Sequence, residues 1–378
     1  MIWIKDGIHK TIELNDIERK IIDTSDFQRL HKIRQLALTY LVYPCATHTR
    51  FEHSLGTMHL CSSICKSLSL DFDLTQKLKL YALLHDIGHC AFSHESEKVL
   101  KKYFGTHERI GEEKIMKGEI KDIISQNYNP KEIINFSKNF YGRIIHSDIG
   151  ADRMDYLLRD SHNTGVAYGI IDSDRIISKI FLNTRKRFFG IHIGGLEAVE
   201  SLLVGRFMMY STVYFHHTLR SASFMLKRAI SLSIENEVLI PEEFKYLCDE
   251  DIFSRILFSK EKSSKTLIKR ILKRDLFKVS NQIPYSEKIE NNLEEIKNKI
   301  KNKFSGEFFF DIPEFFTELD RIHVMDKNQN IVNLDKISPL VFSLKSAESS
   351  RRSILLLCNK KDRKKLKEIS DKILSKYN

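Results

Sequence analysis

The spacing of apolar and polar side chains predicts a β-hairpin at the start of the chain and a helix directly after it. In residues 2–14 the apolar side chains lie on both sides of Asp6 and Gly7, a dipeptide typical of tight hairpin turns. Asn15 followed by Glu18 is the pattern of a capping box, in which each residue satisfies a backbone N–H group of the other. We therefore expect a helix to begin just after Asn15.

Helical periodicity then dominates the chain as far as about residue 235. The clearest helical patterns cover residues 49–69, 73–90 and 196–232. The last of these is long enough for one helix or for two stacked helices. Extended structure is predicted at residues 37–46 and, as a strand pair that turns at Gly190, at residues 187–193. These patterns favour a mainly α fold.

The pattern changes after Pro241, where short charged helices are predicted over residues 242–304. Strands follow, and a lysine-rich helix is expected at residues 361–377. We predict strands over residues 307–312, 321–325, 331–334 and 354–358. The sequence therefore predicts a helical domain with a short N-terminal hairpin over residues 1–240. A small, basic α+β module, for which a ferredoxin-like arrangement is one candidate, is predicted over residues 241–378.

Composition places the chain among globular proteins of the cytoplasm. Hydrophobic residues make up 42% of the chain, yet no apolar run approaches the roughly 18 residues that a membrane-spanning helix needs. The N-terminal sequence MIWIKDGIHK lacks the basic start and apolar stretch of a signal peptide. The six cysteines form no CxxC pair, so we expect reduced thiols.

The net charge of +11 is concentrated near the C-terminus. Residues 251–378 contain 28 Lys and Arg against 18 Asp and Glu. Such a region could bind nucleic acid or attract anionic nucleotides. The lysines alternate with acidic residues, as in Lys361-Asp362-Arg363, which favours a solvated surface over nucleic-acid binding.

Histidines and acidic residues concentrate around the sequence LLHDIGHCAFSH at residues 83–94. It contains the adjacent pair His85–Asp86, and His89 follows His85 by four residues, which places both histidines on one face of the predicted helix. The apolar residues before the pair predict that it is buried. A buried imidazole beside a buried carboxylate is costly unless a partner such as a divalent metal ion compensates for it.

Two further residues complete a set of candidate metal ligands. His53 precedes the pair and Asp152 follows it, so that two imidazoles and two carboxylates occur within about 100 residues. This mixture suits a divalent ion such as Mn, Fe, Ni, Zn or Mg, with positions left for water and substrate. Hydrolysis of a phosphate ester is the natural reaction of such a site. Arg50, Arg153 and Arg206 are candidate cations for the phosphate.

Three stretches of the sequence resemble a known family. IIDTSDFQRLHKIRQLA and TRFEHSLG, within residues 13–56, closely resemble the sterile-alpha-motif-and-HD-domain dNTP triphosphohydrolases of the HD phosphohydrolase superfamily. DRMDYLLRDSHNTGVAYG, at residues 152–169, resembles the archaeal and bacterial branch of that superfamily. The resemblance covers about residues 1–235. It implies an HD-domain helical core that cleaves deoxynucleoside triphosphates at the α-phosphorus into a deoxynucleoside and inorganic triphosphate.

The resemblance also implies roles for individual residues in catalysis. The divalent metal ion is expected on His53, His85, Asp86 and Asp152. His94 matches the acid that protonates the leaving 5′-oxygen, and Glu97 matches a residue that supports it. The remaining catalytic positions match His89, His107 and Glu108.

Substrate binding is implied in the same way. The triphosphate-binding positions match Arg50, Arg153, Tyr156 and Arg206. Gln35 and Asp160 match the pair that binds the sugar 3′-hydroxyl. Leu36 and Tyr214 match the residues that crowd C2′ and so disfavour ribonucleotides.

The chain departs from the family pattern at two positions. His31 stands where the animal enzymes carry an arginine of a guanine-nucleotide activator site, although Asp23 and Gln28 of that site are retained. Gly150 stands where many relatives have an aspartate. A homo-oligomer, either a dimer or a tetramer, is expected from the resemblance.

Two alternatives to a dNTP triphosphohydrolase remain open. One is an HD phosphohydrolase of broader nucleotide specificity. The other is a nucleotide-sensing or nucleic-acid-binding protein that has lost turnover. The complete set of predicted ligands, together with His94, favours an enzyme.

Overall fold

The computed structural model describes residues 2–312 and 322–377. The predicted hairpin is confirmed, with strands β1 (Ile2–Asp6) and β2 (Lys10–Leu14) antiparallel. Asp6 stabilises the turn because its Oδ1 accepts hydrogen bonds from the backbone N–H groups of Ile8 and His9. The capping box is also confirmed, since Asn15 and Glu18 each accept a hydrogen bond from the backbone of the other.

Helices make up most of the chain between the hairpin and residue 179. They are α1 (Asp16–Ile22), α2 (Ser25–Gln28), α3 (Arg50–Ser67), α4 (Phe72–Leu84), α5 (His94–Phe104), α6 (His107–Ile115), α7 (Gly118–Ser125), α8 (Pro130–Ile134), α9 (Arg143–His146), α10 (Ala151–Thr164) and α11 (Ser173–Lys179). Among the described helices of the whole chain, none combines the length and apolar composition needed to cross a lipid bilayer.

Strands and helices alternate in the second half. The elements are β3 (Ile180–Asn183), β4 (Phe188–His192), α12 (Leu196–Met209), α13 (His217–Glu235), α14 (Asp249–Phe258), α15 (Lys262–Leu272), β5 (Lys278–Pro284), α16 (Glu287–Asn291), α17 (Leu293–Lys301), β6 (Phe308–Asp311), β7 (His323–Met325), β8 (Ile331–Asn333), α18 (Leu334–Ile337), α19 (Pro339–Ser350), β9 (Ser353–Cys358) and α20 (Arg363–Leu374). The mainly α fold is therefore confirmed.

The strands after β2 form two sheets, which the sequence did not distinguish. One sheet has the order β3-β4-β7-β8, and the other places β9 between β5 and β6 in antiparallel pairing. The predicted strands at residues 321–325 and 331–334 thus join the β3–β4 hairpin, and the ferredoxin-like arrangement is wrong. Arg321, at the start of the first of these predictions, lies outside the described residues. Strand β5 was missed, because its stretch was predicted as part of the short helices.

Two local predictions are corrected by the structure, and a third is decided between its two alternatives. Residues 37–46 are not extended, since they form turns and a short 3-10 helix at Thr39–Leu41. The β3–β4 turn lies before β4, so Gly190 pairs with Phe181 inside the sheet instead of turning the chain. Of the two alternatives predicted for residues 196–232, one helix or two, the structure has two helices, α12 and α13, with a π-helical turn at Tyr210–Tyr214 between them.

The most important correction concerns the predicted helix at residues 73–90. Helix α4 ends at Leu84, and the chain turns at residues 85–88, so His85 and His89 do not share one helix face. Gly88 explains the turn, because it packs directly on the backbone of α6, where a side chain would overlap His107 and Gly111.

The hydrophobic core lies in clusters that surround the site. One cluster packs the hairpin against α3, α4, α10 and α12. A second joins Phe92 to side chains of α13, α14 and α15 and to β9, and so unites residues on both sides of residue 240. The domain boundary near residue 240 stays a prediction.

Candidate functional site

A cavity of about 620 Å³ lies where helices α3, α4, α5, α6 and α10 meet. Its wall also includes residues between 35 and 39 and the π-helical turn after α12. Every site residue that the sequence predicted lines this cavity except Glu97 and Arg206. The fold therefore brings together side chains that are spread over some 180 positions of sequence, from Gln35 to Tyr214.

The four predicted metal ligands converge on one point of this cavity. His53 Nε2 lies 3.1 Å from Asp152 Oδ1 and 3.6 Å from Asp86 Oδ2. His85 Nε2 lies 3.4 Å from Asp86 Oδ1 and 3.8 Å from Asp152 Oδ1. Two ligand atoms that are each about 2.1 Å from a shared ion, at angles of about 90–110°, are about 3.0–3.4 Å apart. Two of the four distances fall in this range, and the ligand atoms of His53, His85 and Asp86 all lie within 4.8 Å of one another, which suits a divalent ion on these three side chains with Asp152 beside both histidines.

The hydrogen bonds of the two histidines also fit a metal ion. The Nδ1 atom of His85 bonds the carbonyl of Ala82 at 2.8 Å, so the lone pair of Nε2 faces the cavity. That Nε2 atom is buried and has no hydrogen-bond partner among the described residues. His53 likewise directs Nδ1 to Asp155, 2.7 Å away. Metal-binding histidines commonly donate their second N–H group to a carbonyl or carboxylate in this way.

The charge around His53 points to a cation as well. Burial lowers the pKa of its imidazole, but hydrogen bonds to Asp152 and Asp155 outweigh burial and raise the pKa to about 10. The carboxylates therefore stabilise a positive charge between them. A divalent ion would supply that charge more fully than one proton does.

Asp155 connects the predicted metal ligands to the N-terminal hairpin. Besides His53, its carboxylate bonds the Nε2 atom of His9 at 2.7 Å and the guanidinium of Arg159 at 2.9 and 3.0 Å. Arg159 also donates to Asp6 in the hairpin turn at 2.8 Å. Gly56 on α3 leaves the space for this network, since a methyl group there would overlap the Asp155 carboxylate.

Arg50 links Asp86, a predicted metal ligand, to the start of α5. Its guanidinium is buried, donates to Asp86 Oδ2, and donates through Nε to Ser93 Oγ at 2.9 Å. Burial alone would raise the pKa of Asp86, but the charge of Arg50 holds it well below its usual range. Asp86 is therefore ionised, as a metal ligand must be.

A second group of titratable side chains lies beside the predicted metal ligands. His107 stacks on His89 with ring centroids 3.9 Å apart, and His107 Nδ1 lies 2.9 Å from Glu97 Oε2. The exposed His94 faces the same oxygen at 3.4 Å through its Nδ1 atom. Burial lowers the pKa of His107, but the bond to Glu97 reverses this and raises it. Glu97 thus orients both histidines although it does not line the cavity. Glu108 lies beside them at the cavity wall.

The turn that presents His94 is held in an unusual backbone conformation. Phe92 and Ser93 have φ angles of +61° and +51°, a region that costs non-glycine residues about 1–3 kcal/mol. The buried carboxylate of Asp249 secures this turn, because it accepts the N–H of Phe92 at 2.7 Å and the N–H of Arg34 at 3.1 Å. Burial raises the pKa of Asp249 to about 6.

The predicted phosphate-binding arginines share one buried carboxylate. Asp148 pairs with both Arg153 and Arg206, and its distance to Arg206 Nη1 is 3.0 Å. Arg153 lines the cavity, whereas Arg206 is buried behind it and lies over the ring of Tyr210. Tyr156 lines the cavity on the same helix as Arg153.

The predicted sugar-binding residues occupy another part of the wall. Gln35, Leu36, Asp160 and Tyr214 all line the cavity. The hydroxyl of Tyr214 donates to Asp160 Oδ2 at 2.6 Å. Tyr214 is therefore fixed by a polar contact as well as by packing, which the aromatic spacing of its helix did not predict.

Sequence reasoning missed several residues that shape the site. Asp155 had a signal, since it follows Asp152 by three positions and shares its helix face. Asp148 and Asp249 had no such signal in the sequence, because their partners lie far away in sequence or on another helix or strand. Gly150 is now explained, since a side chain there would overlap the carbonyl of Ile145.

Comparisons with known proteins identify two family models in this chain. The HD domain model matches residues 50–160, and the model of the HD associated region matches residues 171–376. An uncharacterized protein of Methanocaldococcus jannaschii is 41% identical over 390 positions, which cover 98% of this chain and 82% of that protein. The crystal structure of a hypothetical protein from Aquifex aeolicus superposes with a TM-score of 0.83 at 30% identity, covering 97% of this chain and 99% of that one.

These matches define the class of protein as a phosphohydrolase built on an HD domain. The chain belongs to the HD-domain phosphohydrolase superfamily. A more distant relative has a named activity: the deoxynucleoside triphosphate triphosphohydrolase SAMHD1 homolog of Dictyostelium discoideum is 29% identical over 314 positions. That alignment covers 74% of this chain and 60% of the relative.

Proposed function

We propose that this protein is a metal-dependent dNTP triphosphohydrolase, which splits a deoxynucleoside triphosphate into a deoxynucleoside and inorganic triphosphate. The observation that carries the proposal is the convergence of His53, His85, Asp86 and Asp152 in a cavity that also holds the predicted sugar and phosphate contacts. The named activity of the Dictyostelium relative supports this choice of substrate.

The metal and the protein would divide the chemistry between them. A divalent ion on the four ligands would polarise a phosphoryl oxygen and activate water. Attack of water on the α-phosphorus breaks its bond to O5′, and the departing O5′ needs a proton. His94 would supply this proton, since it is exposed to the cavity and its Nδ1 atom faces Glu97.

His89 and His107 would act on the phosphate rather than on the leaving group. Burial, followed by the charge of Arg50, holds the pKa of His89 well below its usual range, so His89 is neutral. His107 has a raised pKa and is a better candidate to carry positive charge toward an α-phosphate oxygen. Arg50 and Arg153 would bind the other phosphate oxygens, with Arg206 behind them.

Product analysis tests the proposal directly. Each of the four dNTPs is incubated with the protein and Mn²⁺ or Mg²⁺, and the products are separated by ion-exchange chromatography. We expect a deoxynucleoside and tripolyphosphate, and no reaction after the metal has been removed with a chelator. Release of a deoxynucleoside monophosphate and pyrophosphate would contradict the proposed position of cleavage.

A further inference from the structure

His48 lies two residues before α3 and contacts both polar residues of the predicted sugar subsite, Gln35 and Asp160. Two segments of the chain pair through their backbones at this point. The N–H of Gln35 donates to the carbonyl of His48 at 3.0 Å, and Arg34 forms a β-bridge with Thr49. The main chain of His48 therefore fixes the position of Gln35. No role was assigned to His48 by the sequence.

The side chain of His48 holds the other residue of the subsite. His48 Nε2 lies 2.8 Å from Asp160 Oδ1, and both side chains are only 2% exposed. Tyr214 donates its hydroxyl to the other oxygen, Oδ2, at 2.6 Å. An ionised carboxylate can only accept, so His48 donates through Nε2–H. The orientation of Asp160 is thus set from both sides, and each oxygen keeps an acceptor position for a further donor.

The subsite also contains an acceptor that lacks a donor. The Oε1 atom of Gln35 is buried, and within residues 2–312 and 322–377 it has no hydrogen-bond partner. Gln35 and Asp160 both line the cavity. A buried acceptor without a donor is costly in a folded protein, and a donor group of a ligand in the cavity would satisfy it.

We propose that His48 is the positioning residue of a sugar-hydroxyl subsite, in which it aligns Asp160 to accept the single O–H of the nucleotide's 3′-hydroxyl beside Gln35. This inference rests on the proposed function, since it concerns the same substrate. Without the Nε2–H donor, Asp160 would keep only its bond to Tyr214 and could rotate away from the substrate. His48 does not touch the reacting phosphate, so its loss should change substrate discrimination more than chemistry.

The test compares dGTP with 2′,3′-dideoxy-GTP, which differ only in the 3′-hydroxyl. In the wild type we expect kcat/KM to favour dGTP by about 5- to 150-fold, because the dideoxy substrate leaves buried polar groups unpaired. Two matched variants, which both carry a side-chain amide, test whether the position of the hydrogen-bond donor matters. The side-chain amide of His48→Gln reaches the place of Nε2 and can donate to Asp160, whereas the shorter amide of His48→Asn reaches only that of Nδ1.

We expect the preference for dGTP to fall by about fivefold or more in His48→Asn and to remain near the wild-type value in His48→Gln. Bound metal should be the same in all three proteins. The ratio of kcat/KM for the two substrates is independent of the amount of active protein. A purely structural role of His48 would therefore leave this ratio unchanged. An unchanged ratio in His48→Asn, or a wild type that hydrolyses both nucleotides equally, would overturn the inference and leave the proposed function standing. Failure of the wild type to hydrolyse any dNTP would instead overturn the proposed function.

Discussion

Replacement of Asp155 by asparagine tests the link between the N-terminal hairpin and the metal ligands. The four potential acceptor positions of this carboxylate are all used, by His53 and Arg159 at Oδ2 and by His9 and Arg159 at Oδ1. Burial raises the pKa of Asp155, but Arg159, followed by His53 and His9, holds it well below its usual range. The native group is therefore a fully bonded anion.

The expected magnitude follows from that count. An asparagine keeps one acceptor oxygen. Its NH₂ group takes the place of the second carboxylate oxygen and faces the two donors that were bonded to that oxygen. Two charge-assisted hydrogen bonds are then lost at about 1.5–3 kcal/mol each, or about 3–6 kcal/mol in total. His53 would also lose its orientation toward the ion, and loss of such a supporting carboxylate typically weakens metal binding by about 10- to 100-fold.

Stability and metal binding are measured separately. Urea unfolding followed by circular dichroism gives the free energy of unfolding, and competition with a calibrated chelator gives the metal affinity under conditions where the variant is folded. Asp6→Asn is the matched control, because it disturbs the same Arg159 but no predicted metal ligand. We expect both variants to lose stability and only Asp155→Asn to lose metal affinity. Wild-type metal affinity in Asp155→Asn, or equal loss in both variants, would refute the reasoning.

Three further predictions concern the proposed chemistry and the turn at α5. Asp86→Ala should lose bound metal and activity together, whereas His94→Ala should keep its metal by elemental analysis and lose about 10²- to 10⁴-fold in rate, the usual range for a general acid. The wild type should prefer dGTP to GTP, because a ribonucleotide would bury its 2′-hydroxyl without a partner at a cost of about 1–3 kcal/mol, and Leu36→Gly and Tyr214→Ala should narrow that gap in kcat/KM. The pKa of Asp249 is raised by burial from 3.8 to about 6, so the folded protein holds this proton more tightly than the unfolded chain does. Its contribution to stability is therefore complete below about pH 4 and falls by about 3 kcal/mol as the pH rises through 6, a loss that Asp249→Asn should not show in urea unfolding at pH 4 to 7.

The sequence by itself predicted most helices and named the four side chains that we propose as metal ligands, which the fold brings together in one cavity. His53, His85, Asp86 and Asp152 were chosen because their side chains have the chemistry of metal ligands and occur in apolar surroundings. The hairpin and the first helix were predictable for a similar reason, since turn and capping residues such as Asp6 and Asn15 act within a few positions of themselves. Local chemistry of this kind can be read without knowing the fold.

The geometry of the site depended on contacts that are distant in sequence. Helix α4 ends at Leu84 because Gly88 must approach the backbone of α6, and no spacing within residues 73–90 records that neighbour. The four-stranded sheet pairs β4 with β7, which is more than 130 residues away. Strand pairing depends on which edges meet, and hydrophobic periodicity does not specify the partner.

The tertiary structure alone decided which buried polar groups support the ligands. His9, Asp148 and Asp249 reach the site from the hairpin, from the turn before α10 and from the start of α14. A buried charge is stable only where the fold supplies its partners, and those partners are set by packing rather than by sequence spacing. The sequence therefore determined the kinds of groups available, and the packing of distant elements determined which of them meet and in what charge state.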